Sequence, residues 1–300
     1  MSLTEAQLAK RRTGLTATDV VVLASGSDWH GRTIHDVWRA KVLGKDDFEP
    51  TEATELGDEF EPIVIRRAAA KLGIEVDRGT ETISHPEHSR YLCTPDAIEK
   101  QHGQFLQVKV VGYHMARAWG DTDTGAAGLP EVVFVQCAWE MFVGQTEIEH
   151  VGALLGTEVR TYRIDRARDG VDDLVGGLRE IGDQFWTDYV EPRRPPPVDG
   201  SEGAKRMLAA IWPMTKAPAI RATPEAERVA RAYFTAHAAE AEAEKAKKLA
   251  QQQLVALVGK HAGLTGDGWR LKYDWRDPTE IAATTRKGYR HFDCRATKGK

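Results

Sequence analysis

Cysteine is scarce in this chain. The three present among 300 residues, Cys93, Cys137 and Cys294, stand far apart and are odd in number. That pattern excludes a disulfide framework and the close spacing of a zinc or iron–sulfur cluster, and it fits a reducing cytoplasm. No apolar run approaches the roughly 18 residues that span a bilayer, so no membrane partner is expected. Residues 1–5 show no basic stretch leading into an apolar one, so no export signal is expected there. No repeat recurs at a fixed period. An excess of positive charge is missing too: 41 Lys and Arg against 45 Asp and Glu leave a net charge of −4. Any nucleic-acid contact must therefore come from a local basic surface.

What is present is an apolar content of 41%, enough for a core in one large domain or two modest ones. The informative stretch is 91–110, YLCTPDAIEKQHGQFLQVKV. Asp96 follows Pro95 at the end of a short apolar run, and His102-Gly103 breaks the run, so the two halves read as a hairpin. In the second strand Phe105, Gln107 and Lys109 share one face, with Leu106, Val108 and Val110 on the other. An acid, an amide and an amine can thus gather in one patch. The same residues also suit a hairpin whose polar side merely faces water.

Around this stretch the periodicities predict an α/β order. A polar helix over 5–12 ends in Lys10-Arg11-Arg12, and Thr16 with Asp19 forms a helix cap before an apolar run. Hydroxyls at a helix start beside arginines suit a phosphate, or else an ordinary capped helix. A helix over 34–42 precedes an acidic loop. A helix over 55–72 carries a buried stripe with Glu61 at its edge, and Pro62 marks a start or a kink there. Strands follow at 75–78, 81–85, 90–97 and 104–111, then a loop at 113–128 carrying His114, Arg117 and Trp119. A largely apolar helix over 131–143 contains Gln136, either a site residue or a satisfied core amide. Strands at 148–155 and 159–165 and a helix at 171–189 complete a mixed sheet flanked by helices. The proline-rich segment 190–203 leaves this core. Beyond it come a short helix at 205–211, a long Ala/Glu/Lys-rich helix from Thr223-Pro224 to about 261, and strands at 269–275 and 289–295. From Trp269 onward nine Lys and Arg face four Asp and Glu, a basic tail with interleaved aromatics that suits a phosphate backbone or a small sheet.

Taken in order, these blocks resemble the YqaJ/lambda-type viral recombination exonuclease family of the PD-(D/E)xK nuclease superfamily, over about residues 8–198. The carriers are Arg12 to Asp19, Gly57 to Pro62 with Glu61, His85-Pro86-Glu87, Pro95-Asp96, Gln107-Val108-Lys109, Gln136 before Met141 to Gly144, and Phe185-Trp186. Thr18 stands where a serine is usual, and Ala138 replaces a second glutamine. The resemblance implies a restriction-endonuclease-like core at 1–198, a linker and short helix at 199–222, and at 223–300 a long helix plus basic β-hairpin for accessory DNA or partner contact.

It also implies a Mg²⁺-dependent exonuclease acting on linear double-stranded DNA, 5′ to 3′, to give single strands for recombination in a bacterial host cytoplasm. Two Mg²⁺ ions, replaceable by Mn²⁺, would be held by Asp96, Gln107, the Val108 carbonyl and Glu61. Lys109 would orient or help deprotonate the attacking water, Gln136 would steady the phosphate or the lysine, and Arg12 and Thr18 would grip a phosphate. The implied partners are DNA ends, a trimeric ring of this chain and a single-strand annealing protein.

One departure bears on activity: Gln107 occupies the family's glutamate position. An amide oxygen can face a metal but brings no charge. Either a substitution traps uncut DNA, or the protein is a weakly active or inactive DNA-end-binding scaffold. The retained Asp96, Lys109, Glu61 and Gln136 favour the first. A restriction-type endonuclease is a third reading. An iron–sulfur nuclease of the same superfamily is disfavoured by the scattered cysteines.

Overall fold

The computed structural model describes residues 4–27, 31–45, 50–79, 81–213, 218, 220–277, 279–281, 284–286, 289–290 and 293–296. The chain forms two compact units, Met1–Thr215 and Lys216–Lys300.

The first unit opens with α1 (Glu5–Arg12), β1 (Leu15–Thr16) and α2 (Ala17–Ser25). Thr16 caps α2 as the sequence suggests: its Oγ1 accepts from the Asp19 N–H at 3.3 Å, and Asp19 Oδ2 accepts from the Thr16 N–H at 2.9 Å. Then come α3 (Ile34–Trp38), which runs on as a π-helical turn over Arg39–Leu43, and α4 (Glu52–Leu72). Pro62 lies inside α4, which neither starts nor stops there.

Five strands build the central sheet. Between α4 and the next helix lie β2 (Val76–Arg78), β3 (Ile83–Ser84), β4 (Tyr91–Cys93), β5 (Ala97–Glu99) and β6 (Phe105–Val111). Helix α5 (Glu131–Gly144) leads to β7 (Ile148–Leu155) and β8 (Glu158–Asp165), then α6 (Val171–Phe185). The sheet order is β2-β5-β6-β7-β8, with β6 and β7 parallel and the other neighbours antiparallel. That parallel pair requires a crossover, and α5 provides it. The strand expected at 90–97 is in fact two: β4 pairs with β1 and β3 in a separate three-stranded sheet, and β5 joins the central one. The chain changes sheets at Thr94-Pro95-Asp96. Pro95 has no N–H to give to a ladder, which suits the break.

Strand β6 is covered on both faces. Phe105 and Val111 join the large core with α5 residues such as Trp139, while Leu106 and Val108 pack with Val64, Ile65 and Ala68 of α4 in a second cluster. Each such fully buried side chain contributes about 2 kcal/mol. Trp139 Nε1 donates to the Leu92 carbonyl at 3.1 Å, tying α5 to β4. Trp119, in the loop expected at 113–128, is buried against Tyr162 with ring centroids 5.5 Å apart.

The short helix assigned from sequence to a linker packs within the first unit. This is α7 (Glu202–Ile211), whose Met207 is buried and whose Arg206 pairs with Asp36 at 2.6 Å. The amphipathic spacing of Ala204, Met207 and Ile211 explains the docking.

The second unit holds α8 (Pro224–Val258), capped by Thr223, whose Oγ1 accepts from the Ala226 N–H at 3.2 Å. Strands β9 (Gly263–Gly266) and β10 (Trp269–Lys272) follow, then β11 (Trp275–Arg276), β12 (Thr279–Ile281), β13 (Thr284–Arg286), β14 (Tyr289–Arg290) and β15 (Asp293–Ala296). One sheet runs β15-β10-β9, and β11 pairs with β14 and β12 with β13. Most of the expected basic tail, 278–300, lies outside the residues whose side chains are described. Among the described residues no helix is long and apolar enough to cross a membrane.

Candidate active site

The switch between sheets aims one carboxylate inward. In the β5–β6 ladder Ala97 faces Leu106, and continuing that register sets Asp96 beside Gln107. Asp96 Oδ2 accepts from the Val108 N–H at 2.7 Å, so the acid is fastened to the strand that carries Gln107 and Lys109. Both those side chains leave β6 on the α5 face, opposite Leu106 and Val108. There Lys109 Nζ donates to Gln136 Oε1 at 2.9 Å, and Gln136 Nε2 donates to Glu140 Oε1 at 2.9 Å.

These groups border a cavity of about 210 Å³. Asp96, Gln107, Gln136 and Glu61 line it, joined by Arg11 and Thr18 from the N-terminal elements. Glu61 is not idle: it receives Arg78 Nη2 at 2.6 Å. The arginine facing the cavity is Arg11, whose Nη1 donates to Thr94 Oγ1 at 3.3 Å. Arg12 is not among the lining residues; its guanidinium lies by Gly44, where a Cβ would sit 3.5 Å from Nη1. The structure thus brings together five of the expected side chains directly and Lys109 through Gln136, while Arg12 sits apart.

Behind the entrance is a buried ion pair. Lys41 Nζ meets Asp19 Oδ2 at 2.6 Å, and Arg32 Nη2 lies 3.6 Å from Asp19 Oδ1. Burial alone would raise the Asp19 carboxyl, but Lys41, Arg32 and Arg11 hold it well below the usual carboxylate range. It stays ionised and fixes the start of α2 beside the cavity.

The acids inside the cavity behave in the opposite sense. Burial pushes Asp96 up to about 6; Lys109 and the Val108 N–H oppose this, and Glu61 adds to it. Burial likewise raises Glu140 to about 7, against the Gln136 hydrogen bond and with Asp96 adding to the rise. Glu149, fully buried on β7, is pushed well above the ordinary value by burial and by Glu140 beside it. The sequence reading passed over both glutamates.

Gln107 Oε1 is buried without a hydrogen-bond partner, and the buried Glu140 Oε2 meets only a second acid, Glu149. Leaving a buried acceptor unmade costs about 1–3 kcal/mol, so such atoms invite a ligand. A hard divalent cation takes carboxylate, amide and carbonyl oxygens, which is the chemistry Asp96, Gln107, Val108 and Glu140 offer. Among the described residues no group of three or more His, Cys, Asp or Glu is arranged to hold a metal, so any ion needs the amide and backbone oxygens as well.

Gly79 was also missed. It lines the cavity, its N–H donates to the Asp96 carbonyl at 2.9 Å, and a Cβ there would overlap the Pro95 carbonyl. Only glycine allows that approach. Gly79→Ala is expected to displace Pro95-Asp96, cost about 1–3 kcal/mol of stability by overpacking, and lower any activity that depends on Asp96. Thermal unfolding of the variant beside its activity checks this; an unchanged melting temperature would contradict it.

Residues 7–149 match the YqaJ-like viral recombinase domain. Over 204 residues the chain is 24% identical to the uncharacterized protein YqaJ of Bacillus subtilis (strain 168), a match covering 67% of this chain and 61% of that protein. The chain thus spans less than two thirds of that relative's length. Among solved structures, the alkaline exonuclease LHK-Exo of Laribacter hongkongensis superposes with a TM-score of 0.51 at 19% identity, covering 70% of this chain and all of that one. The same enzyme in complex with dAMP gives 0.52 at 18%, with coverage of 70% and 100%. At these identities the likeness speaks for the fold alone: the mixed sheet with its flanking helices is shared with that exonuclease, as the sequence resemblance implied.

Proposed function

We propose that this protein is a metal-dependent exonuclease that digests linear double-stranded DNA, 5′ to 3′, to expose single strands for recombination. One observation carries the reading: Asp96, locked to the Val108 N–H, shares a polar cavity with the unsatisfied Gln107 oxygen, and Lys109 reaches its edge through Gln136. The family match and the nuclease fold support it. One structure of that fold holds dAMP, the kind of nucleoside monophosphate that an exonuclease releases.

In this reading Asp96, Gln107 Oε1, the Val108 carbonyl and Glu61 would hold two Mg²⁺ ions, with Mn²⁺ able to substitute. Bound cations supply charge to stabilise the attacking and leaving oxygens of the phosphate. The chain's own groups do the rest. Arg11 and Thr18 grip the phosphate at the cavity mouth, a role the family resemblance had put on Arg12 and Thr18. Lys109 orients the attacking water and helps to draw off its proton, and Gln136 holds the Lys109 ammonium in place. The assembly implied is a ring, three copies in the resemblance, that encloses the duplex and hands its product strand to an annealing protein.

The test is a time course with Mg²⁺ on 5′-phosphorylated linear duplex and on closed circular duplex. Nucleotide release from the linear form alone is expected, starting from the 5′ ends. Cutting of the circle would replace the exonuclease with a restriction-type endonuclease. Metal-independent end binding without release, in Mg²⁺ and in Mn²⁺, would make the protein a scaffold.

A further inference from the structure

An amide at Gln107 leaves the expected metal site one negative charge short. The structure holds a carboxylate that fits the gap. Glu140 sits on α5 four residues after Gln136, so both project from the same helix face, toward β6. It lines the same cavity as Asp96 and Gln107. Gln136 donates to one of its oxygens; the buried Oε2 meets no donor from Lys, Arg or backbone, only a second acid, Glu149, while Gln107 Oε1 is buried without a partner. The whole residue is 2% exposed, yet among the described residues neither Lys nor Arg is paired with it in an ion pair. Lys109 acts on it through Gln136 without forming an ion pair, so the ionised carboxylate stays costly unless a further cation binds.

We infer that Glu140 is a metal ligand of this site, supplying from the helix the carboxylate that Gln107 does not supply from the strand. The charge has moved from β6 to α5, so that Glu140 joins Asp96 and Glu61 as the acids of the cavity, with Gln107 contributing a neutral oxygen. Gln136 then serves two neighbours: its carbonyl oxygen fixes Lys109 and its amide fixes Glu140. On this view Gln107 marks a relocated ligand rather than a disabled enzyme. Glu149, behind Glu140 and outside the cavity lining, is the control: it is equally buried and lies next to Glu140, so a purely structural effect of removing buried charge appears there too.

The inference rests on the metal-dependent reading above, and titration without DNA separates the two. Calorimetry with Mn²⁺ alone, on the full chain, compares the wild type with Glu140→Gln, with Glu149→Gln and with the double variant Gln107→Glu, Glu140→Gln. Glu140→Gln is expected to weaken Mn²⁺ binding by at least tenfold, about 1.4 kcal/mol. The double variant, with the acid returned to the strand, is expected to regain most of that loss, and Glu149→Gln to keep wild-type affinity. Wild-type affinity in Glu140→Gln, or no recovery in the double variant, overturns the proposal. A wild-type chain that binds no Mn²⁺ sinks the metal-dependent reading itself. Whatever the variants do, a crystal of the wild type soaked in Mn²⁺ decides by anomalous scattering: the ion lies within coordinating distance of a Glu140 oxygen, or, if it is held by Asp96 without Glu140, the proposal fails.

Discussion

Asp96→Asn is expected to lower nucleotide release at least about a thousandfold, roughly 4 kcal/mol of barrier, and to make the metal-free protein more stable. The two effects have one cause. Asp96 is the acid at which the sheet switch, the cavity and the Val108 N–H converge. Without its charge the cavity loses a carboxylate proposed to hold the metal. The asparagine carbonyl still accepts from Val108, so the local fold survives. Meanwhile the substitution removes a buried charge that is expensive when no cation is present.

The sign of that expense is fixed by the raised carboxyl. Burial lifts Asp96 from 3.8 to about 6, so the folded state binds its proton more tightly than the unfolded state does. Stability from this group is therefore full below about pH 4, declines as pH rises to about 6, and stays lost above. A shift of about two units corresponds to roughly 3 kcal/mol. Glu140, raised from 4.5 to about 7, extends the decline toward neutrality. Asp19 runs the other way, but its contribution is already complete above the ordinary carboxyl value of 3.8 and is lost only in more acid solution, so it does not cancel the trend. In EDTA, thermal unfolding at about pH 5 and about pH 8 should show the wild type losing stability as pH rises, with Asp96→Asn losing less. A variant that is less stable than the wild type at the higher pH would show that the ionised carboxylate stabilises the fold. Unchanged nucleotide release in the variant would remove Asp96 from the chemistry.

Much of this arrangement is legible in the residues themselves. Period-two alternation puts Gln107 and Lys109 on one face of a strand, and the turn at His102-Gly103 returns that strand past Asp96. Neither inference needs tertiary information. The crossover helix follows from the order of elements, because β6 and β7 run parallel. What escaped the sequence depends on rotation and packing. One residue along a helix turns a side chain by about 100°, so choosing between Arg11 and Arg12 depends on how α1 docks. The apparent strand at 90–97 hides a change of sheet, for which Pro95 was the available signal. Glu140 could have been found: it lies four residues after Gln136 on a helix otherwise apolar inward, and spacing of four is the signature of a shared face. Glu149 could not, because an acid at the start of a strand ordinarily faces water and only the fold buries it. Gly79 likewise reads as a plain turn residue until the Pro95 carbonyl is seen above it.

Lys109→Met carries the second large effect and separates chemistry from metal binding. The ammonium is held by Gln136 at 2.9 Å and lies close enough to Asp96 to lower its carboxyl. A group that positions water and moves its proton accounts for about a hundred- to ten-thousandfold in rate, so turnover on linear duplex is expected to fall by at least a hundredfold. Metal affinity should move in the opposite direction or not at all. Lysine is a cation beside the proposed metal site, and removing it would relieve repulsion of a bound ion. Methionine keeps most of the length and the apolar stem of the side chain, so the substitution removes the charge with little change in volume. Calorimetry with Mn²⁺ beside the nuclease time course distinguishes the possibilities. Loss of turnover with equal or tighter metal binding assigns Lys109 to the reacting water. Weaker metal binding would mean instead that the lysine organises the cavity through Gln136 and Glu140, and unchanged turnover would mean that water is activated elsewhere.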